Sequence, residues 1–250
     1  MTAFVILATV LATAVLSGVM GMAGGVLLMA VLVTLLPVAS AMILHGAVQA
    51  ASNGARFLFL REHVMWGILP FYALGALLAV LLFVSAVFVP DPALVLILVG
   101  SFPWLARLVP VLRGLDVRRP VTGVACGASV TAAQLLAGAS GPLLDAFYLR
   151  TEVDRRCIVA TKALTQAAGH VVKIGYYAWV SGAVVDEFAV AGVPIWLVGT
   201  GIVLAILGAR IGTRLLEKFD DRQFRRVTGW VILGLGALCI VKGAHDLLLP

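Results

Sequence analysis

TAFVILATVLATAVLSGVMGMAGGVLLMAVLVTLL, residues 2–36, runs for 35 residues without one charged side chain. That is too long for one straight helix across a hydrocarbon core of about 30 Å, which takes about 20 residues. The interruption Gly21-Met22-Ala23-Gly24-Gly25 divides it, because glycine at that density breaks a helix. The same construction recurs in Val121 to Leu149, interrupted by Gly138-Ala139-Ser140-Gly141-Pro142. Two broken helices, one opening each half of the chain, set the plan of the fold.

The whole composition agrees. The chain is 62% hydrophobic and 12% charged, whereas a soluble domain averages about 45–50% and about 25%. Lipid is the solvent for such a chain. The opening stretch lacks the basic leading region of a secretory signal peptide, so it is expected to stay in the mature protein. Cys126, Cys157 and Cys239 are isolated and without metal-ligand spacing, which points to packing. No metal or other cofactor is expected. The net charge of +6 does not indicate nucleic acid, because Lys and Arg cluster in short segments between apolar runs.

Eight apolar stretches follow one another: Thr2 to Leu36, Val38 to Leu60, Val64 to Val89, Pro92 to Leu112, Val121 to Leu149, Cys157 to Val180, Val190 to Ile211 and Val227 to Leu249. With the first and fifth broken, these make ten helical segments. The predicted fold is an all-α integral membrane protein of two inverted-topology repeats of about five segments each, 1–114 and 115–250, forming one membrane domain. Charge gives the orientation, since short cytoplasmic loops carry the Lys/Arg excess. Arg61, Arg113 with Arg118 and Arg119, Arg150 with Arg155 and Arg156, and the cluster from Arg214 to Arg226 mark the inside. The segments around Asp91 and Asp186-Glu187 mark the outside. Both termini are then expected outside the cytoplasm, in a multi-pass protein of the inner membrane.

A shift of 117 residues places Gly21 on Gly138 and Gly24 on Gly141. The same shift places His45 on Lys162, Gln49 on Gln166, Asn53 on His170 and Arg56 on Lys173. Polar matches are informative in a chain with so few polar residues. Inverted repeats with broken helices around a midplane site are a building plan of secondary transporters.

Each polar set lies at i, i+4, i+8 and i+11, within one stripe of about 80° on a helix. Polar and ionisable groups at membrane depth line a bundle interior or a cavity. His45, Gln49, Asn53, Lys162, Gln166 and His170 are therefore the candidate substrate ligands, with Lys162 the main electrostatic contact and His45 its partner from the other half. Gly24, Gly25 and Gly141 complete the set: a broken helix presents free N–H groups and the positive end of its dipole to an anion. Arg56 and Lys173 stand nearer helix ends and read as snorkelling cations. Asp145 carries a coupling proton or neutralises Lys162 or Lys173. The expected partners are a small anion and the lipid bilayer. Oligomeric state, a homo-oligomer included, stays open.

The run Gly18-Val-Met-Gly21-Met-Ala-Gly24-Gly25, followed by apolar sequence to Pro37, resembles the sulfite exporter TauE/SafE family. The resemblance spans the chain and includes the second copy ending in Gly141-Pro142. Ala23 stands where that family has Gly in its Gly-x-Gly-Gly-Gly run. The resemblance implies a secondary transporter that moves a small anion, sulfite or an organosulfonate, by alternating access, and no enzymatic activity. Two alternatives stand beside it. A passive anion channel would carry the same residues, and Gly138-Ala-Ser140-Gly141 also looks like the Gly-x-Ser-Gly of intramembrane serine proteases, with His170 as the base.

Overall fold

A computed structural model describes residues 1–20, 23–108, 115–148, 151, 153–182, 189–190, 192–216 and 221–248. Gly21, Met22, Arg113, the boundary residue 114, Arg150, Asp186 and Glu187, used above for the break, the loops and the repeat, lie outside the described residues. Among the described residues there are ten α-helices: α1 (Thr2–Met20), α2 (Ala23–Leu35), α3 (Val38–Leu60), α4 (Leu69–Ala86), α5 (Pro92–Leu108), α6 (Pro120–Ala137), α7 (Gly141–Ala146), α8 (Arg155–Val180), α9 (Ile195–Leu216) and α10 (Asp221–Leu248). Two 3₁₀ turns, Arg61–His63 and Trp66–Ile68, lie between α3 and α4. A two-residue antiparallel ladder, Ala189–Val190 with Val193–Pro194, precedes α9.

The helix ends follow local chemistry. Proline sits in the first turn of α4, α6 and α7 and opens α5, where its missing N–H has no helical partner to lose. α8 begins at Asp154, whose carboxylate accepts the Arg156 N–H at 2.6 Å. α6 stops at Gly138, which takes φ 71° and returns its N–H to the Gln134 carbonyl at 3.0 Å. That left-handed residue is the common helix stop, and glycine adopts it without steric cost. Within the helices, the hydroxyls of Thr9, Thr13, Ser101, Ser129 and Thr165 donate to carbonyls three or four residues back. Side-chain donors are thereby satisfied where water is absent.

Among the described residues, three helical segments, Trp66–Ala86, Pro120–Ala137 and Ile195–Gly212, are long and apolar enough to cross a bilayer. Their outward faces expose large apolar side chains, among them Leu74, Leu77, Leu81 and Leu82 on α4 and Val203, Leu207 and Ile211 on α9. Such surface is stable against lipid and costly in water. The main helix pairs are α1 with α9, α4 with α6, α3 with α8, and α5 with α10. Glycine sets the close approaches. A Cβ on Gly127 of α6 would overlap the Tyr72 carbonyl of α4, and one on Gly75 of α4 would overlap the Val124 carbonyl of α6. Gly100 and Gly236 face each other in the same way across α5 and α10. Small residues at such crossings gain dispersion contact that lipid alone does not favour. Gly127→Val is expected to lower stability by about 3 kcal/mol through overpacking against backbone that cannot yield, measured as resistance to SDS unfolding in detergent micelles.

The loop into α6 is tied to the segment after α7. Asp116 accepts two bonds from the Arg118 guanidinium Nε and a third from its Nη2 at 2.7 Å, with the Thr151 hydroxyl at 3.3 Å. Those bonds, Arg118 first, hold the Asp116 carboxyl below its usual value. A depressed carboxylate adds stability that is present above its unfolded pKa and lost as pH falls through its folded value.

Candidate functional site

The two polar stripes cross at the centre of the bundle. α3 and α8 run antiparallel, because Gly46 meets His170 and Ile174 while His45 meets Lys173 and Arg56 lies in electrostatic reach of Lys162, eleven residues back along α8. The hydrophobic face of α3 is spent on the core through Ala41, Met42, Ile43, Leu44 and Val48. Its polar face is left toward α8 and the broken helices. Tyr177 donates to the Leu135 carbonyl at 2.6 Å and Tyr176 to the Phe88 carbonyl at 2.7 Å, which fixes α8 against α6 and the end of α4.

A cavity of about 20 Å³, room for a water-sized group, lies where the stripes meet the two breaks. His45, Gln49, Asn53 and Arg56 of α3 line it, with Gln166 and His170 of α8, Gly25 of α2, and Ala139, Ser140 and Gly141 at the second break. Ser17 of α1 and Ser52 of α3 complete the lining. No carboxylate is among its described lining residues. Of the residues expected from sequence, the fold thus brings together His45, Gln49, Asn53, Gln166, His170, Gly25 and Gly141. Gly24 stands one residue aside, where a Cβ would overlap the Thr13 carbonyl and the Ser17 hydroxyl. Its role in the structure is close packing of α2 on α1.

The pairing of Lys162 with His45 requires a correction, while Asp145 takes the neutralising role expected of it. Lys162 does not pair with His45 and does not line the cavity; it forms an ion pair with Asp145. Asp145 follows the α7 break closely enough for α8 to pass beside it, and the pair neutralises itself. Lys173 takes the place beside His45 instead. It is fully buried and donates from Nζ to His45 Nδ1 at 2.9 Å and to the Gly138 carbonyl at 2.8 Å. Snorkelling does not describe it, because α8 continues to Val180 and holds it two turns from the helix end.

His45 is a hinge of hydrogen bonds between the two breaks. Its Nε2 lies 2.8 Å from the Gly25 carbonyl, and a carbonyl only accepts, so Nε2 carries the proton. Nδ1 of the neutral ring is then an acceptor, as the Lys173 bond requires. One continuous chain therefore runs from Gly25 in the first turn of α2 through His45 and Lys173 to Gly138 at the end of α6. The His170 ring stands 5.4 Å from that of His45, tilted by 55°. Its Nδ1 is buried with no partner.

Sequence reasoning missed three parts of this site. Ser17 and Ser52 read as ordinary helix-packing hydroxyls, and no local signal separates them from the others. Gln134, whose side chain accepts the Ser140 hydroxyl at 3.2 Å, had one available signal: the 117-residue shift places it on Ser17. The Ser140 bond also bears on the protease alternative. Its hydroxyl is directed to Gln134 and not to His170, so the nucleophile and base pair that such chemistry needs within about 3 Å is not formed. Comparison with curated proteins and with solved structures gives no match. The sulfite exporter TauE/SafE family matches residues 5–238 of the chain, which therefore belongs to that family of membrane transporters.

Proposed function

We propose that this protein moves a small anion of the sulfite or organosulfonate class across the inner membrane by alternating access, with its two halves, 1–114 and 115–250, acting as inverted repeats around the central cavity. One observation carries the reading: a polar cavity, lined by hydrogen-bonding side chains from both halves and by Arg56, with no carboxylate among its described lining residues. A space of about 20 Å³ is smaller than a sulfonate, so the cavity has to widen to bind one, which suits a change of conformation better than a static pore.

The packing supports the repeat. If α1 to α5 correspond to α6 to α10, then α1 with α9 becomes α6 with α4, and both pairs are major contacts. α3 with α8 and α5 with α10 map onto themselves. The 117-residue shift likewise exchanges the His45 and Lys173 contact for the Arg56 and Lys162 approach. Binding roles fall to His45, Gln49, Asn53, Gln166 and His170, with Gly25 and Gly141 allowing backbone approach. Lys162 and Asp145 form a neutral pair beside the site.

A groove of about 670 Å³ between α3 and α9 supports loading from the Arg-rich face, which the positive-inside rule assigns to the cytoplasm. Arg56, Arg210 and Arg214 line it, and Ser52 and Arg56 belong to both the groove and the cavity. Arginines lining an approach concentrate anions by electrostatic focusing. With this orientation both termini lie outside. A C-terminal reporter active only in the cytoplasm should be silent, and a strong signal would invert the assignment.

The deciding experiment is a thermal-shift series on purified protein with sulfite, sulfate, sulfoacetate, taurine, methanesulfonate and simple carboxylates, since a ligand of the native state raises apparent stability. A shift with sulfur oxyanions is expected, followed by saturable flux in proteoliposomes. Unitary conductance steps in planar bilayers would replace alternating access with a channel. Arg56→Gln should weaken the response by about tenfold, the loss of one charge-assisted hydrogen bond. Lys162→Met combined with Asp145→Asn should change it far less, because the pair presents no net charge.

A further inference from the structure

We propose that Lys173 is a proton-binding site whose protonation is coupled to occupation of the central cavity, making the protein an electroneutral symporter of one proton with one monovalent anion. This rests on the anion-transport reading and goes beyond it in naming the coupling ion and the group that carries it.

Hydrogen-bond accounting carries the argument. A neutral lysine amine has two N–H groups, and Lys173 has two acceptors, His45 Nδ1 and the Gly138 carbonyl. The neutral amine is thus fully satisfied in a site with no exposed surface. Protonation adds a third N–H, beyond the two hydrogen bonds that Nζ makes to described residues. His45 cannot take the proton without disruption, because a doubly protonated ring would have no acceptor left for Lys173.

The charges facing Lys173 give the same answer. α3 presents His45, with Arg56 three turns further along; α8 presents His170, Tyr176 and Tyr177; α2 contributes no titratable side chain; and the stretch 134–144 contributes none. The carboxylate that follows, Asp145, is taken by Lys162. A protonated Lys173 would therefore be an uncompensated cation at membrane depth, which costs several kcal/mol. The cavity adjoins it through His45 and His170, and the unpartnered Nδ1 of His170 is buried beside it. An anion in the cavity supplies the missing countercharge. Conversely, an anion entering opposite a neutral amine meets Arg56 on the α3 wall but no cation at the Lys173 end. Empty with a neutral amine and loaded with both ions are two states of equal net charge, with Arg56 unchanged in both, and the half-loaded states are disfavoured by the same interaction. Linkage makes the effect reciprocal: each ligand tightens the other. The proton comes from water on the loading side onto the Nζ lone pair and returns to water with the anion on the other side.

Methanesulfonate is the suitable probe, because it is a strong-acid anion with no proton of its own to exchange near neutrality. Adding it to lightly buffered purified protein with a pH-indicating dye should take up about one proton per anion bound, and affinity should rise about tenfold per unit fall in pH while the amine is neutral. In proteoliposomes a pH gradient should drive methanesulfonate accumulation, and an imposed membrane potential alone should not. Lys173→Met should bind more weakly, without proton uptake and without pH dependence. Binding by the wild type with no proton uptake, or flux driven by voltage alone, would overturn the proposal while leaving an anion transporter. Absence of methanesulfonate binding at every pH would remove the anion reading and the coupling with it. If Lys173→Met does not fold, the wild-type proton count and the voltage test decide the matter.

Discussion

His45→Ala is expected to destabilise the protein by about 3–5 kcal/mol and to abolish transport. The imidazole holds the Gly25 carbonyl at 2.8 Å and the Lys173 amine at 2.9 Å, and it is fully buried. Truncation removes two hydrogen bonds worth about 1 kcal/mol each, leaves a buried Lys173 N–H without its partner at about 1–3 kcal/mol, and opens a cavity. The terms overlap, so the sum stays below their simple total. His45→Gln should recover a large part of the loss, because an amide can donate to Gly25 and accept from Lys173. Unfolding in mixed detergent micelles, read by tryptophan fluorescence, gives the comparison. An alanine variant within about 1 kcal/mol of wild type would show that the chain between the breaks is not a structural tie.

Gly25→Val is expected to fold and to lose transport by about a hundredfold or more, a barrier increase of about 3 kcal/mol. A side chain there meets the Gln49 amide first and then His45 Nε2 at 3.8 Å. Both belong to side chains, so the bundle can adjust at about 1–3 kcal/mol, but the added carbons occupy the cavity. Gly24→Val should behave differently. Its Cβ meets the Thr13 carbonyl, backbone of α1, and a clash with backbone cannot be relieved by a rotamer. Folded yield should fall for Gly24→Val and be kept for Gly25→Val, measured by size-exclusion profile before flux is assayed. Normal flux in folded Gly25→Val would remove this cavity from the transport path.

The two adjacent glycines show where sequence reading stopped. Both were legible as part of a break, because glycine density and the length of residues 2–36 require one. Their separate roles depend on which neighbour each faces, and α1 and α3 are set against α2 by packing, not by local sequence. The same holds for the lysines. Lys162 and Lys173 share one stripe of α8, and periodicity makes them equivalent candidates. Antiparallel packing on α3 gives Lys173 to His45, and the α7 break brings Asp145 to Lys162.

The sequence by itself determined the solvent, the helical character, the two breaks and the polar stripes. Each of these follows from local quantities: hydropathy over about 20 residues, glycine and proline density, and helical spacing. Only the tertiary structure decided which lysine is neutralised by a carboxylate and which is left to a histidine and a carbonyl. That choice is a matter of distances between helices far apart in the chain, and in a low-dielectric interior such distances decide where charge is affordable.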